Sequence, residues 1–123
     1  MAFDETSARL TIHLSGSAVW HHKPVYAEIV HRARVQGLAG ASVFHGIEGY
    51  GTHLVIHQDK PSRLRTHGPC VVVVVDVEER LRAFLDTLDD VLCVNGVAVL
   101  DRTRVQKPAM PPGEKRPESG AAE

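Results

Sequence analysis

The sequence predicts an α+β domain of the ferredoxin-like split βαβ class, with the order β-α-β-β-α-β. In this fold an antiparallel sheet carries two helices on one face. Segments with the two-residue apolar alternation of a strand occur in that order with two segments of helical periodicity. The chain has 123 residues, which suits one domain with a hydrophobic core of its own.

The first half of the chain contains a strand, a helix and a second strand. Apolar and polar residues alternate over residues 8–15, as in a half-buried strand. Pro24 suits the first position of a helix, and the apolar stripe that follows ends at Gly37. The second strand is predicted over residues 40–47.

The second half repeats the pattern. The third strand is the apolar run CVVVVV at residues 70–75. Asp76 is predicted as the N-cap of the second helix, with Glu79 completing a capping box. That helix is predicted to continue to about Leu92, and the fourth strand covers residues 96–105.

Three further segments define the predicted domain organisation. Residues 1–7 are an N-terminal extension, residues 8–105 form the domain, and residues 106–123 form a proline-rich tail that is disordered or ordered by a partner. Within the domain, the connection 46–69 is long for a small protein, which is typical of a functional loop.

The third strand also predicts self-association. Its residues are apolar on both faces, whereas two helices can cover only one face of the sheet. Because a large exposed apolar patch is rare in monomers, we expect the uncovered face to pack on other copies of the chain. The sequence therefore predicts a homo-oligomer.

Composition excludes several classes of function. The chain has 14 basic and 15 acidic residues, so no overall charge attracts it to nucleic acid or to a membrane surface. The longest apolar run is too short for membrane insertion, and the N-terminus lacks the pattern of a signal peptide. With two cysteines and no CxxC pair, we expect a reduced, cytoplasmic protein.

Two segments carry a resemblance to a known family. They are KPVYAEIVHRARVQGLAGASVFHGIEGYG at residues 23–51 and GPCVVVVVDVEERLRAFL at residues 68–85. The chain resembles the domain of unknown function 190, a family that is similar in fold to the PII signal-transduction proteins, over about residues 10–105. The resemblance implies a PII-like trimer, and we expect no cofactor. It also implies regulation through the loop between strands two and three, and a protein partner, for which a membrane channel is one candidate.

The resemblance further implies that a small ligand, expected to be an adenine nucleotide, binds in a cleft between subunits. Arg102 and Arg104 would reach the loop of a neighbouring subunit, where a guanidinium suits phosphate oxygens. The predicted ligand-binding residues are Lys23, His45, Gly46, Ile47, Glu48, Gly49, Tyr50, Gly51, Lys60, Arg63, Arg102 and Arg104.

The glycine spacing GxxGxG at Gly46, Gly49 and Gly51 has two interpretations. Glycines allow a positive φ and a close approach of the backbone to a phosphate, and successive N–H groups can bind an anion. Alternatively, the glycines only turn the chain out of the second strand. The spacing is neither the dinucleotide-binding fingerprint nor a P-loop.

The histidines support an alternative function, a metal-binding or metal-responsive trimer that uses His53, His57 and His67. No spacing of the HExxH kind occurs, so we expect no metal site. His13 and His45 are expected to share one face of the sheet. An enzyme acting on phosphate esters is a third candidate, but no GxSxG motif is present. We expect no catalytic residues and no enzymatic activity.

Overall fold

A computed structural model of the chain describes residues 2–4, 6–50, 57–58, 68–92 and 96–107. Four of its strands form one antiparallel sheet in the order β5-β8-β2-β9. The predicted ferredoxin-like split βαβ fold is thereby confirmed. The elements in chain order are β1 Ala2–Asp4, β2 Ser7–Ser15, β3 Val19–Trp20, β4 Lys23–Pro24, α1 Val25–Val35, β5 Gly40–His45, β6 Glu48–Gly49, β7 His57–Gln58, β8 Pro69–Val77, α2 Glu78–Asp86, α3 Asp89–Leu92, β9 Val97–Arg102 and β10 Val105–Lys107.

The core lies between the helices and one face of this sheet. Alternate residues of β2 and β8 are buried against the inner faces of α1, α2 and α3. Each large apolar side chain buried there contributes about 1.5–3 kcal/mol. The buried core residues are Ala8, Leu10, Ile12, Leu14, Val25, Ile29, Ala33, Cys70, Val72, Val74, Leu81, Phe84, Leu88 and Val91.

Helix α1 begins one residue later than the sequence predicts. Pro24 has an extended backbone and is the N-cap, so Val25 is the first helical residue. At the other end Gly37 has a φ of 72°, and the amide of Leu38 donates to the carbonyl of Ala33. This is a Schellman motif, which explains the glycine.

The prediction of Asp76 as the N-cap of the second helix is wrong. The N-cap is Val77, and no side chain caps α2 there. The buried carboxylate of Asp76 instead accepts hydrogen bonds from the amides of Ala39, at 2.8 Å, and Val77, at 2.6 Å. It also pairs with Arg80 at 3.1 Å. Asp76 therefore ties the start of β5 to the end of β8.

The second helix is interrupted where the sequence predicts continuity to Leu92. It ends at Asp86, and α3 follows from Asp89. The hydroxyl of Thr87 donates to the carbonyl of Phe84 at 2.6 Å. The carbonyl of Thr87 accepts a bond from Arg32 on α1 at 2.8 Å. The amides of Thr87 and Leu88 donate to the carbonyls of Phe84 and Leu85, each three residues back, so α2 ends in a tight turn and its regular α-helical bonding stops there.

Both termini contribute strands to a second, two-stranded sheet. β1 pairs with β10, with Asp4 opposite Val105, whereas Ala8 lies opposite Arg102 in the main sheet. Part of the predicted extension, Ala2–Asp4, and the first two residues of the predicted tail are thus in strands.

The second face of the main sheet carries no helix in the described part of the chain, and we call it the open face. The register places His13 between Val71 and Val97 on this face. The same face includes Arg9, Thr11, Gly40, Ser42, Phe44, Val73, Val75, Val99 and Asp101. His45 follows Phe44 and lies on the helix-covered face, so the expectation that His13 and His45 share a face is wrong.

Candidate ligand-binding site

The candidate site starts where β5 leaves the main sheet. His45 lies opposite Cys70, and the amide of Gly46 donates to the carbonyl of Pro69 at 2.8 Å. We call this end of the sheet the exit end. Residues 46–50, the described part of the glycine loop, continue from it into the short pairing of β6 with β7.

The glycines of this loop are explained by a close approach to Pro69. A Cβ on Gly46 would lie 2.8 Å from the proline Cγ, and one on Gly49 would lie 3.3 Å from it. Neither residue has a positive φ, so the expectation of positive φ is not met at these two positions. The amide of Gly46 donates to the carbonyl of Pro69, so this N–H group is already hydrogen-bonded within the chain.

Aromatic and basic side chains surround the exit end. The ring of Tyr26, in the first turn of α1, meets His45 edge to face at a centroid distance of 5.0 Å. Lys23 directly precedes Pro24, the N-cap of α1, and pairs with Trp20 in the β3–β4 hairpin. The structure therefore brings Lys23 to the same end of the sheet as His45 and the glycine loop.

The glycine loop itself projects apolar side chains. Ile47 is 82% exposed and Tyr50 is 69% exposed. Glu48, which is also exposed, lies opposite Gln58 in the pairing of β6 with β7. A ligand with a planar ring and phosphate groups fits such a surface. The exposed aromatic and aliphatic groups can contact its ring, and the neighbouring basic residues can bind its phosphates.

Arg102 lies at the opposite end of the sheet. It ends β9 opposite Ala8, whereas the exit end holds Leu14. At about 3.3 Å per residue, the two ends of β2 are about 20 Å apart. A single protomer therefore does not join Arg102 or Arg104, two residues further on, to the glycine loop.

Arg102 is held by an acidic residue. Its Nε donates to Glu78 at 2.8 Å, and Arg82 bonds the other oxygen of the same carboxylate at 2.9 Å. These bonds, first that from Arg102, hold the pKa of Glu78 below its ordinary value. The bond engages one of the five N–H groups of the guanidinium, whose side chain is 82% exposed.

Arg32 of α1 contacts the β3–β4 hairpin. Its guanidinium lies 5.0 Å from the centroid of the Trp20 ring. It also pairs with Glu28 at 2.7 Å and with Asp90 at 2.8 Å. The sequence predicts only the Glu28 pair, because Trp20 and Asp90 are too far along the chain for a local pattern to indicate them.

The remaining predicted site residues lie outside the described residues. They include Gly51, Lys60 and Arg63, together with His53 and His67 of the metal alternative. Across the residues that the structure does describe, no three His, Cys, Asp or Glu side chains are grouped to hold a metal ion. Within the same ranges, every helix falls short of the length and apolarity that a membrane span requires.

The DUF190 family, described as Uncharacterized ACR, matches the chain over residues 7–105. A UPF0166 protein of Aquifex aeolicus is 38% identical over 79 residues, which are 64% of this chain and 75% of that protein. A UPF0166 protein of Methanocaldococcus jannaschii is 31% identical over 98 residues, 80% of this chain and 90% of that protein.

Solved structures with the same fold include CPII of Thiomonas intermedia K12, a nitrogen regulatory PII-like protein bound to ADP, AMP and bicarbonate. It aligns with a TM-score of 0.61 at 19% identity, over 83% of this chain and 90% of that chain. A PII-like signaling protein of Thermus thermophilus aligns with a TM-score of 0.60 at 14% identity, over 85% and 93% of the two chains. These likenesses show a PII-like fold.

Proposed function

Because the chain belongs to the DUF190 family and has a PII-like fold, we propose that it is a regulatory protein that binds an adenine nucleotide. The nucleotide binds between the subunits of a homotrimer and changes the glycine loop, which then contacts a protein partner. The adenine nucleotides bound by CPII, a protein of the same fold, support this ligand class.

One observation carries the location of the site. The glycine loop with Lys23 lies at the exit end, and Arg102 lies about 20 Å away at the other end of the same strands. In a closed ring whose strands run around the threefold axis, the exit end of one subunit meets the opposite end of the next. The two half-sites then form one cleft at each subunit boundary.

Each half-site has a distinct chemical role. Arg102 and Lys23 bind the phosphates, for which a guanidinium supplies paired N–H groups and an ammonium supplies a point charge. The exposed rings and aliphatic groups of Tyr50 and Ile47 contact the adenine. Ligand contacts then offset the conformational entropy that the loop loses when it is held in one arrangement.

The proposal assigns no catalytic step to this site, because occupancy alone carries the signal. It includes a cytoplasmic location, which the free thiol of Cys70 supports. The partner recognises the glycine loop, and a membrane channel is one candidate for it.

A thermal-shift and calorimetric titration with ADP, AMP and ATP tests the proposal, with GDP as the control for the base. A nucleotide present at a hundred times its Kd should stabilise the protein by about 2.7 kcal/mol. Arg102→Ala should weaken binding of the best nucleotide by a factor of about 10–100, the loss of one charge-assisted contact. Arg82→Ala, which removes the other arginine bound to Glu78, is the matched control and should bind like the parent. Absence of a shift with every adenine nucleotide would sink the proposal.

A further inference from the structure

The open face of the main sheet has the composition of an interface between identical chains. Phe44, Val97 and Val99 are 59%, 45% and 46% exposed on it, and three valines of β8 lie between them. Interfaces of obligate homo-oligomers are more apolar than the rest of a protein surface. This face is therefore suited to bury its valines against copies of itself.

The charges on the open face fit a second copy as the occupant. Arg9 and Asp101 lie side by side on it and pair at 2.9 Å, so the face carries no net charge. Two such faces meet without repulsion, and the arginine of one can reach the aspartate of the other. No partner of opposite charge is required.

His13 is the exception to this neutrality. On β2 it is flanked on the open face by Val71 from β8 and Val97 from β9, and Phe44 from β5 follows in the same row. The charged groups that share the face, in the described part of the chain, are Arg9 and Asp101, which neutralise each other. An imidazole is the side chain that gains a proton between pH 8 and pH 5.

We propose that protonation of His13 weakens self-association through the open face, so that the protein assembles at neutral pH and separates in mild acid. The inference rests on the trimer of the proposed function. A neutral imidazole can be buried among valines, but a charged one loses its hydration without gaining an anionic partner, since Asp101 already pairs with Arg9. Acid therefore favours the separated form, because the separated subunits bind protons that must be released on assembly.

The size of the effect follows from three such histidines in one trimer. Every subunit that is protonated when separate must release one proton on assembly, so the association constant of a trimer depends on three protonation equilibria at once. A tenfold loss at each histidine therefore lowers the association constant of the trimer about 1,000-fold.

Sedimentation velocity at pH 7.5 and pH 5.5 tests this inference on the full chain. The parent should be a trimer at pH 7.5 and should dissociate at pH 5.5, with an unchanged far-UV circular dichroism spectrum. His13→Gln keeps a polar side chain of similar size without the titration, and it should assemble equally at both values. His31→Gln, on the exposed surface of α1, is the matched control and should behave like the parent. Val73→Asp should remain monomeric at both pH values.

Three results would overturn the inference: a parent whose assembly is the same at both pH values, a His13→Gln variant as acid-sensitive as the parent, or a Val73→Asp variant that still assembles. The result is separable from nucleotide binding. Acid-sensitive assembly without any adenine nucleotide binding would contradict the ligand but keep this inference. Nucleotide binding by a trimer whose assembly is the same at both pH values would contradict this inference but keep the ligand.

Discussion

At Gly46 the backbone runs so close to Pro69 that the two residues share a hydrogen bond, and a Cβ would lie 2.8 Å from the proline Cγ. The proline ring is stiff and begins a central strand of the sheet, so it cannot move aside at low cost. Gly40 begins β5, the strand that ends next to Gly46. A Cβ added to Gly40 would have no atom within 4 Å. Close packing therefore requires a glycine at Gly46, whereas Gly40 has room for a side chain.

This contrast predicts the stability of two matched variants. Gly46→Ala should lower the free energy of unfolding by about 1–3 kcal/mol, the range for adding a methylene to a packed site. Gly40→Ala should change it by no more than about 1 kcal/mol, in the stabilising direction. Urea unfolding monitored by circular dichroism measures both. Equal effects of the two substitutions would contradict the account of Pro69.

The sequence predicts the buried side chains well, because strand alternation and helical periodicity depend on near neighbours. It also indicates a close approach at the glycine loop, but the approach that it predicts is to a phosphate. It does not identify Pro69 as the neighbour, since that contact joins two strands. The mistaken prediction of Asp76 as a cap has the same cause: its carboxylate is taken by the amide of Ala39, which no local pattern indicates.

Among the elements, the helices are joined through Arg32. Its contacts with Trp20, Asp90 and the carbonyl of Thr87 connect the β3–β4 hairpin, α1 and the α2–α3 region. The apolar periodicity of Leu88 continues that of α2, which is why the sequence predicts one long helix. The interruption lies at the three-residue backbone bonds of Thr87 and Leu88, and apolar periodicity carries no information about them.

This connection predicts a pH-dependent stability. The hydrogen bond from Arg32 holds the pKa of Asp90 below its ordinary value. The ionised carboxylate therefore stabilises the fold above the ordinary carboxyl pKa, about 3.9, and this stabilisation is lost as the pH falls through the lowered value. Asp90→Asn should be less stable than the parent at pH 7, and the difference should shrink towards zero in acid.

Unfolding in urea at pH 7 and at pH 2.5 measures that difference. Asp89→Asn, at the preceding position of α3, is the matched control for the loss of one carboxylate from α3, and its effect at each pH is the background for that of Asp90→Asn. A deficit of Asp90→Asn that persists at the lower pH would show that the carboxylate charge is not what Arg32 stabilises.

At the scale of the whole molecule, the order of elements was sufficient to predict the topology. The helices α1, α2 and α3 cover one face of a four-stranded sheet, and the other face displays valines and His13. The same topology separates the glycine loop from Arg102 by the length of β2. The sequence indicates both groups of residues, but it does not contain the distance between them, which follows only from the register of the strands.

The central claim is that one binding site is built from two subunits, and subunit mixing tests it most directly. Gly49→Val, whose side chain would meet Pro69, damages the loop half-site, and Arg102→Ala damages the other half. Each variant alone should bind ADP weakly. After unfolding and refolding an equal mixture, every mixed ring contains one intact boundary, so about one site in four should bind ADP with the affinity of the parent. Calorimetry that detects no such sites in the mixture, while the rings are intact, would contradict the claim.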